Sequence, residues 1–483
     1  MEVFFVDRRR ALAADLPVLG RDEVSQVLAD RLLADGTPIV LDDRMRPAEP
    51  LSSWLLWLGQ EERQPSTMRS YVYAALRLQD FMLKRGGDLL SVTEPDLAEY
   101  RLWRKKLQRR PIQGVTWEKE AAAINNLYRW LADRKLVRVR PWRRGGSRDT
   151  FRGGVNREAR VRHMEWAQFR YYRDVGMGGL TPDGELDLRF RGWCPHRNRA
   201  ATDLALVTGM RLQEWSTVLL PELGIGSGPP SSIDFELGAC AKRKRPRVVY
   251  VTEDVRASVE TYCMLERREM VDAAQKSLRS RRADLFVIRE VNYESGRVTG
   301  VLDGQQVTRV IKAMGPGLRA IAVQDTDGYL DPLAVFIRRG GRMLTPSGWD
   351  RVRWRACDRM KAWAGDCPTA LMPRQRWLYH DLRHTFALQL LIYLTRLLLR
   401  DEVKQELPMA TLLEHMVFNP ILAVQERLGH ESPATTYRYI RYLRNPVRDV
   451  EEAFKQWTAS AGASYAEIGR KHLGLEAAGA AQG

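Results

Sequence analysis

One stretch of the chain combines side chains that could bind a phosphate. It runs Tyr379-His380-Asp381-Leu382-Arg383-His384-Thr385-Phe386 and continues into an apolar segment that looks helical. Three residues are nearly one helical turn, so His380 and Arg383 would lie on the same face of that helix. A guanidinium offers a planar fork of donors to a phosphate, and an imidazole adds a donor or a proton carrier. Alone, such a pair is more often an ordinary surface pair, so the interpretation depends on the rest of the chain.

Two upstream segments also carry cations where an anion could bind. In Thr208-Gly209-Met210-Arg211, the glycine breaks one helix just before the next begins, which places Arg211 beside exposed backbone N–H groups. Residues 233–252 predict a β-hairpin with a basic turn that includes Lys242 and Lys244. A lysine at such a tip could reach a site formed by helices, and a charged turn in solvent is the alternative.

A downstream segment supplies another histidine and two tyrosines. Leu428-Gly429-His430 ends one helix with glycine at the stop position, and Ser432-Pro433 is typical of the start of the next. Residues two apart on a helix differ by about 200°, so Tyr437 and Tyr439 would point to opposite faces. One tyrosine could pack while the other faces a site, although a tyrosine on an amphipathic helix is usually a core residue.

Composition limits the classes of protein that remain. The chain has 483 residues, enough for two or more domains, and 77 Lys and Arg against 60 Asp and Glu give a net charge of +17. Such an excess favours a nucleic-acid partner. No apolar run approaches the ~20 residues that span a membrane, so no membrane partner is expected. Five cysteines without a Cys-x-x-Cys pair indicate a reducing, cytoplasmic location and argue against a zinc ribbon.

The elements that must position these residues divide the chain into segments. Residues 51–140 show helical periodicity and predict a compact helical domain, preceded by an extension over 1–50. One flank of this domain is densely basic with interleaved tryptophans, and residues 141–160 form a glycine- and arginine-rich linker. Both are predicted to contact the DNA backbone. The residues chosen for this role are Arg104, Lys105, Arg109, Arg110, Arg143, Arg144 and Lys244.

Taken together, the motifs resemble those of the tyrosine recombinase (phage integrase) family. The order is Arg211 with Glu214, a hairpin lysine, His380-x-x-Arg383, His430 and then Tyr439 nine positions later. The helical residues 51–140 also resemble the core-binding (SAM-like) domain of that family. The resemblance implies a mainly α fold with a small β-sheet, and a catalytic domain over 161–460 followed by a tail over 461–483. Relative to the family pattern, insertions lie at about 276–332 and 394–418.

The resemblance assigns a role to each of these residues. Arg211 and Arg383 would hold the scissile phosphate, and Tyr439 would be the nucleophile that forms a 3′-phosphotyrosyl intermediate. His380 would accept the phenolic proton, and His430 would donate a hydrogen bond to a non-bridging oxygen. The general acid for the 5′-hydroxyl would be Lys242, with Lys244 as the alternative. One ester replaces another of similar energy, so no cofactor, ATP or metal is implied.

The implied function is site-specific recombination of double-stranded DNA by a prokaryotic or mobile-element protein. The family implies a dimer on one DNA site and a tetramer on two sites, with possible accessory bending or directionality factors. Two alternatives keep the fold: a catalytically inert architectural DNA-binding protein, and a type IB topoisomerase or resolvase-like strand transferase. A third interpretation, a zinc site at His380-x-x-x-His384, lacks the glutamate base and would place Arg383 beside a cation.

Overall fold

The computed structural model divides the chain into two compact units, Met1–Glu158 and Ala159–Gly483. The residues that it describes are 1–14, 18, 20–30, 33–142, 162–225, 234–241, 245–365, 370–373, 375–404, 419–432, 435–437 and 439. No helix among them is both long and apolar enough to cross a membrane. The fold class expected from the sequence is confirmed, since helices dominate and the sheets are small.

Unit 1 is a helical bundle that carries a short hairpin near its N-terminus. Its helices are α1 (Arg8–Ala13), α2 (Arg21–Asp30), α3 (Leu51–Gln60), α4 (Pro65–Leu83), α5 (Glu94–Leu102) and α6 (Gly114–Asp133), with a π-helical turn at Trp103–Leu107. Strands β1 (Glu2–Phe5) and β2 (Pro38–Leu41) pair antiparallel. The apolar residues of α4 and α6 recur at helical spacing, and these two helices pack on each other and on α3 around the buried Trp54 and Trp117.

Unit 1 contains a buried ion pair between Glu120 and Arg104. Glu120 on α6 is 3% exposed, and its Oε2 lies 2.7 Å from Nη2 of Arg104, which is 8% exposed. Arg77 reaches the same carboxylate at 3.2 Å, and Tyr100 donates its hydroxyl proton to it. Burial raises the pKa of Glu120, but the hydrogen bonds from Arg104 and Tyr100 outweigh burial and leave that pKa below its usual value. The carboxylate is therefore charged and bound on several sides.

The described part of unit 2 contains both long helices and helices of only one turn. They are α7 (Trp166–Arg170), α8 (Pro195–Thr208), α9 (Leu212–Trp215), α10 (Glu253–Tyr262), α11 (Arg268–Ser280), α12 (Pro316–Arg319), α13 (Pro346–Ala364), α14 (Tyr379–Lys404) and α15 (Pro420–Leu428). Two π-helical segments extend α7 and α10. The core is built around Trp215, Trp349 and Tyr379, whose rings pack edge to face.

The strands of unit 2 form small antiparallel pairs and one five-stranded sheet. Strands β3 (Asp234–Leu237) and β4 (Arg247–Tyr250) pair antiparallel, within the segment predicted as a hairpin. The larger sheet has the order β7-β6-β5-β8-β9, with β5 and β8 parallel and the other neighbours antiparallel. Its strands are β5 (Phe286–Asn292), β6 (Arg297–Leu302), β7 (Gln305–Val310), β8 (Ala322–Thr326) and β9 (Tyr329–Pro332). The last pair is β10 (Ile337–Arg338) with β11 (Arg342–Met343).

Replacing Glu120 with glutamine should destabilise the chain by about 3 kcal/mol, because Arg104 would remain buried without a charged partner. Urea unfolding of the full-length protein at pH 7, followed by circular dichroism, measures the loss. Glu61→Gln is the matched control, since Glu61 is exposed and the structure records no side-chain ion pair for it. Equal stability of the two variants would contradict this account of Glu120.

Candidate active site

The helix that carries the central motif is held at its first turn by the segment preceding α7. The carboxylate of Asp381 accepts the backbone N–H of Leu378 at 2.8 Å and forms an ion pair with Arg162 at 2.8 Å. One turn later, the hydroxyl of Thr385 accepts the backbone N–H of Met164 at 2.8 Å. These contacts lie on either side of Arg383 and His384, so they fix the part of α14 that presents those two side chains.

Arg383 is the most enclosed charge of the site. It is 1% exposed, and its guanidinium donates to the carbonyl of Gly209 at 2.6 Å and to that of Leu428 at 2.5 Å. Gly209 follows α8 and Leu428 is the last residue of α15, so Arg383 joins three helices. Gly209 has φ +59°, and a Cβ there would collide with the Phe386 ring, which explains the glycine.

A buried carboxylate links Arg211 to the hairpin. Glu214 accepts the backbone N–H of Arg211 at 2.8 Å and its Nη1 at 3.0 Å, and it accepts Nη2 of Arg247 at 2.5 Å. Burial raises the pKa of Glu214, but the hydrogen bond and charge of Arg247, with the contacts of Arg211, lower it to about 2. Glu214 is thus ionised, and it holds Arg211 at the start of α9 and Arg247 at the start of β4.

Tyr439 lies against two histidines. Its side chain is buried, and its hydroxyl is 3.0 Å from Nδ1 of His384. The ring of His430 stacks on the ring of Tyr439 with centroids 6.1 Å apart and planes 3° apart. Nδ1 of His430 is 3.0 Å from the hydroxyl of Thr436. The ring of His380 packs against that of His384 at 4.5 Å.

Burial and the positive charges around the site lower the pKa values of two of its histidines. Burial, followed by the charges of His380, Arg383, His430 and His163, lowers the pKa of His384 to about 3. Burial, followed by the charges of Arg383, Arg211, His380 and Arg247, lowers the pKa of His430 to about 3. Both imidazoles are consequently neutral at pH 7. Arg383 is affected in the same direction: burial first, then Arg211, lowers its pKa to about 9.

The structure brings together most of the predicted catalytic residues. The charge of Arg211 lowers the pKa of Arg383, and the rings of His430 and Tyr439 stack on each other. Arg211 and Tyr439 are 228 positions apart in the sequence (439 − 211). His380 is exposed on the first turn of α14, beside His384. Lys242, Lys244, Arg143 and Arg144 lie outside the described residues, so the hairpin acid and the linker contacts stay predictions.

One predicted DNA contact requires correction. Arg104 cannot offer its guanidinium to a phosphate, because it is 8% exposed and hydrogen-bonded to Glu120. Its place in a basic run suggested a solvent-facing side chain, but its position on the π-helical turn points it into unit 1. Among the other residues chosen in unit 1, Lys105 is half-buried, and Arg109 and Arg110 are exposed.

Two members of the site were not recognised as such from the sequence. Arg247 lies within the predicted hairpin but was given no role there, and its bond to Glu214 is a long-range contact that no local pattern encodes. His384 entered only as half of a possible zinc motif. Its signal was available, since residues four apart share a helix face and His384 therefore lies next to His380. The contact with Tyr439, 55 positions away, needed the tertiary structure.

Acidification is expected to destabilise unit 2 through His384 and His430. Because both folded-state pKa values lie below the ordinary 6.5, the unfolded chain takes up protons that the folded site excludes. Stability is therefore complete above about pH 6.5 and is lost progressively as the pH falls toward 3. Between pH 7 and pH 5 each histidine should cost about 2 kcal/mol, at about 1.36 kcal/mol per pKa unit.

Urea unfolding at the two pH values tests this expectation. The stability of the wild type should fall by up to about 4 kcal/mol more than that of the double variant His384→Gln, His430→Gln. The same replacement at His196, outside this cluster, should leave the wild-type pH dependence intact. If the double variant loses as much stability as the wild type, the two imidazoles are not the excluded proton sites.

Comparisons with known proteins match one part of this chain to a family model and most of it to solved structures at low identity. Residues 52–135 match the family model described as the phage integrase, N-terminal SAM-like domain. No curated protein matches the chain.

Two solved complexes of the XerH site-specific recombinase resemble the fold. The post-cleavage complex with palindromic difH substrate has a TM-score of 0.45 at 15% identity, covering 93% of each chain. The pre-cleavage complex with difH has a TM-score of 0.44 at 14% identity, covering 93% of this chain and 92% of that one. The Tn1549 transposon integrase, residues 82–397 with circular intermediate DNA, has a TM-score of 0.38 at 14% identity, covering 73% of this chain and 81% of that one.

All three TM-scores are below 0.5. The family match is to residues 52–135, which are similar to the N-terminal SAM-like domain of phage integrases.

Proposed function

We propose that this protein is a site-specific DNA recombinase that cuts and rejoins double-stranded DNA through a 3′-phosphotyrosyl intermediate. The observation that carries the proposal is the position of Tyr439, whose buried hydroxyl lies at a cluster of arginines and histidines drawn from distant parts of the chain. A phenol beside guanidinium groups suits attack on a phosphodiester, because the phosphate oxygens bind the cations while the phenolic oxygen approaches phosphorus.

The charge of the site fits a phosphoryl-transfer transition state. Arg211, Arg247 and Arg383 contribute three positive charges and Glu214 one negative charge, which leaves +2 (3 − 1) with neutral histidines. In-line attack by a phenolate on a phosphodiester concentrates two negative charges on the reacting group. Preorganised cations stabilise that increase more than they stabilise the singly charged ground state.

Arg383 can bind substrate while it keeps its hydrogen bonds to two backbone carbonyls. A guanidinium carries five N–H donors, and the carbonyls of Gly209 and Leu428 each take one. Arg211 is the more accessible of the two, with 26% of its side chain exposed, and Glu214 holds its Nη1. We assign both side chains to the non-bridging oxygens of the scissile phosphate, with His430 as a further donor.

Two bonds change at phosphorus, and two protons move. Tyr439 loses its phenolic proton to a histidine of the site and forms a P–O bond as the bond to the 5′-oxygen breaks. The 5′-oxygen leaves as a hydroxyl after it gains a proton. We assign that proton to Lys242, with Lys244 as the alternative, on the resemblance alone. Religation reverses these steps with a 5′-hydroxyl from the same or another strand, so the ester energy is conserved.

Contacts with DNA away from the cut belong to exposed basic residues. In unit 1 we assign Arg109 and Arg110, with the half-buried Lys105, to the phosphate backbone. The Tn1549 integrase is in complex with circular intermediate DNA, which agrees with DNA as the partner. We further propose, from the family resemblance, that two protomers bind one site and four bind two sites.

Cleavage of a suicide substrate, which traps the covalent intermediate, separates this function from its alternatives. A recombinase yields a protein–DNA adduct and, with a second site, exchanged strands. An architectural protein of the same fold yields no adduct, and a topoisomerase-like enzyme yields an adduct without exchange products. Absence of any adduct under conditions of tight DNA binding would overturn the proposal.

Tyr439→Phe should abolish the covalent adduct and leave DNA binding unchanged, because the variant lacks only one hydroxyl. Denaturing gels of suicide-substrate reactions measure the adduct, and mobility shifts measure binding. Tyr437→Phe is the matched control and should form normal amounts of adduct, since the Tyr437 side chain is 52% exposed. Adduct in Tyr439→Phe together with its loss in Tyr437→Phe would assign the nucleophile to Tyr437.

Arg211→Lys should slow cleavage by on the order of 10²-fold, since an ammonium cannot reproduce the bidentate fork of a guanidinium. The single-turnover rate on a suicide substrate, with the protein saturating, measures the effect. Arg268→Lys makes the same change at an exposed position of α11 and should react at the wild-type rate. A wild-type rate in Arg211→Lys would remove Arg211 from the phosphate site.

A further inference from the structure

His384 lies where a proton acceptor for the nucleophile is needed. Its Nδ1 is 3.0 Å from the hydroxyl oxygen of Tyr439, which is hydrogen-bonding distance. The side chain of Tyr439 is 3% exposed, so bulk water has little access to the phenol. Deprotonation of a phenol with an ordinary pKa of about 10 therefore needs a base inside the protein.

We propose that His384, the residue after the motif arginine, is the general base for Tyr439 and holds the phenol in its attacking position. This inference rests on the proposed function and replaces the role first assigned to His380. As the phenolic oxygen bonds to phosphorus, its O–H bond breaks and the proton moves to Nδ1 of His384. The P–O bond to the 5′-oxygen breaks in the same step, and that oxygen takes its proton from a separate donor. Religation returns the proton from His384 to Tyr439.

The two histidines beside Tyr439 contact it in different ways. His430 lies over the ring of Tyr439, and its Nδ1 is within hydrogen-bonding distance of Thr436. His384 meets Tyr439 at the hydroxyl group, with ring centroids 5.6 Å apart and planes inclined by 57°. Stacking constrains the plane of the phenol, and the hydrogen bond sets the direction of its oxygen. Only the second geometry allows proton transfer.

The backbone beneath His384 is held in place. Thr385 and Asp381 bind Met164 and Arg162, and the hydroxyl of Thr385 also donates to the carbonyl of Asp381 at 2.9 Å. Arg383, the residue before His384, is held by two carbonyls. A base that must act within about 0.5 Å of a productive geometry needs such support from its surroundings.

Bound substrate would raise the basicity of His384. In the protein without DNA, burial first and then the positive charges of His380, Arg383, His430 and His163 disfavour the imidazolium. A phosphodiester against Arg383 adds a negative charge and offsets part of this repulsion. The imidazole therefore becomes a stronger base only when a phosphate occupies the site, which ties formation of the nucleophile to the presence of DNA.

The decisive variant is His384→Asn. The asparagine side chain places an amide oxygen near the position of Nδ1, so it retains a hydrogen-bond acceptor but cannot take a proton. We expect unchanged DNA affinity and a single-turnover cleavage rate lower by on the order of 10²-fold. His196→Asn makes the same replacement outside the site and should cleave at the wild-type rate.

A substrate with sulfur at the bridging 5′ position separates base from acid. A thiolate leaves without protonation, so a defect in the general acid disappears on this substrate, whereas a defect in deprotonation of Tyr439 persists. The deficit of His384→Asn should therefore be as large with sulfur as with oxygen. Added imidazole should partly restore cleavage by His384→Ala, in proportion to the free-base concentration, which a purely structural role would not produce.

The outcomes distinguish this inference from the proposed function. If the wild type forms no adduct, the recombinase function fails, and the role of His384, which rests on it, fails with it. If the wild type cleaves and His384→Asn cleaves equally fast, only the role of His384 is wrong. A persistent deficit on the sulfur substrate in His380→Asn, with none in His384→Asn, would return the base to His380. Rescue of His384→Asn by the sulfur substrate would make His384 part of the acid machinery.

Discussion

The packing of the helices around the candidate site depends on the hydrogen bonds of the buried Arg383 side chain. Its guanidinium, buried to 1% exposure, is bound by the carbonyls of Gly209 and Leu428 at the ends of two other helices. Carbonyls at helix C-termini carry partial negative charge, so they stabilise the cation without cancelling its full charge as a carboxylate would. The same bonds bring α8, with Arg211 just beyond it, and α15, with His430 just beyond it, to one side of α14. One interaction therefore supports both the fold and the positive field of the site.

The positive charges also affect the protonation of the neighbouring histidines. Arg211 and Arg247 share the carboxylate of Glu214, and Arg383 is bound by carbonyls. Burial, followed by the positive charges around them, lowers the pKa of His384 and His430 to about 3. Keeping neutral imidazoles beside buried cations lowers stability in acid, a cost that a purely structural core would avoid. Clusters of groups with shifted pKa values are more frequent at functional sites than elsewhere in proteins.

Basic residues in this protein have two physical roles that local sequence does not separate. Arg104 lies in the basic run between Arg101 and Arg110, yet its side chain is buried on Glu120, whereas Arg109 and Arg110 face solvent. Unit 2 repeats the pattern with Arg319, which is buried against Glu222, and with Arg197, which donates to the carbonyl of Ile337. Part of the cationic excess therefore stabilises the core, and only the remainder is available to a polyanionic partner.

The sequence by itself determined the local elements and supplied most of the residues that the structure brings together at the candidate site. Helical spacing placed His380 and Arg383 on one face, glycine marked the helix ends at 209 and 429, and charge indicated a polyanion, because these features depend on neighbours within a few residues. Only the tertiary structure decided which histidine meets the hydroxyl of Tyr439, which carboxylate binds Arg247, and that Arg104 faces inward. Those pairings join residues 16 to 55 positions apart. They follow from how whole helices and strands pack, which no short-range periodicity encodes.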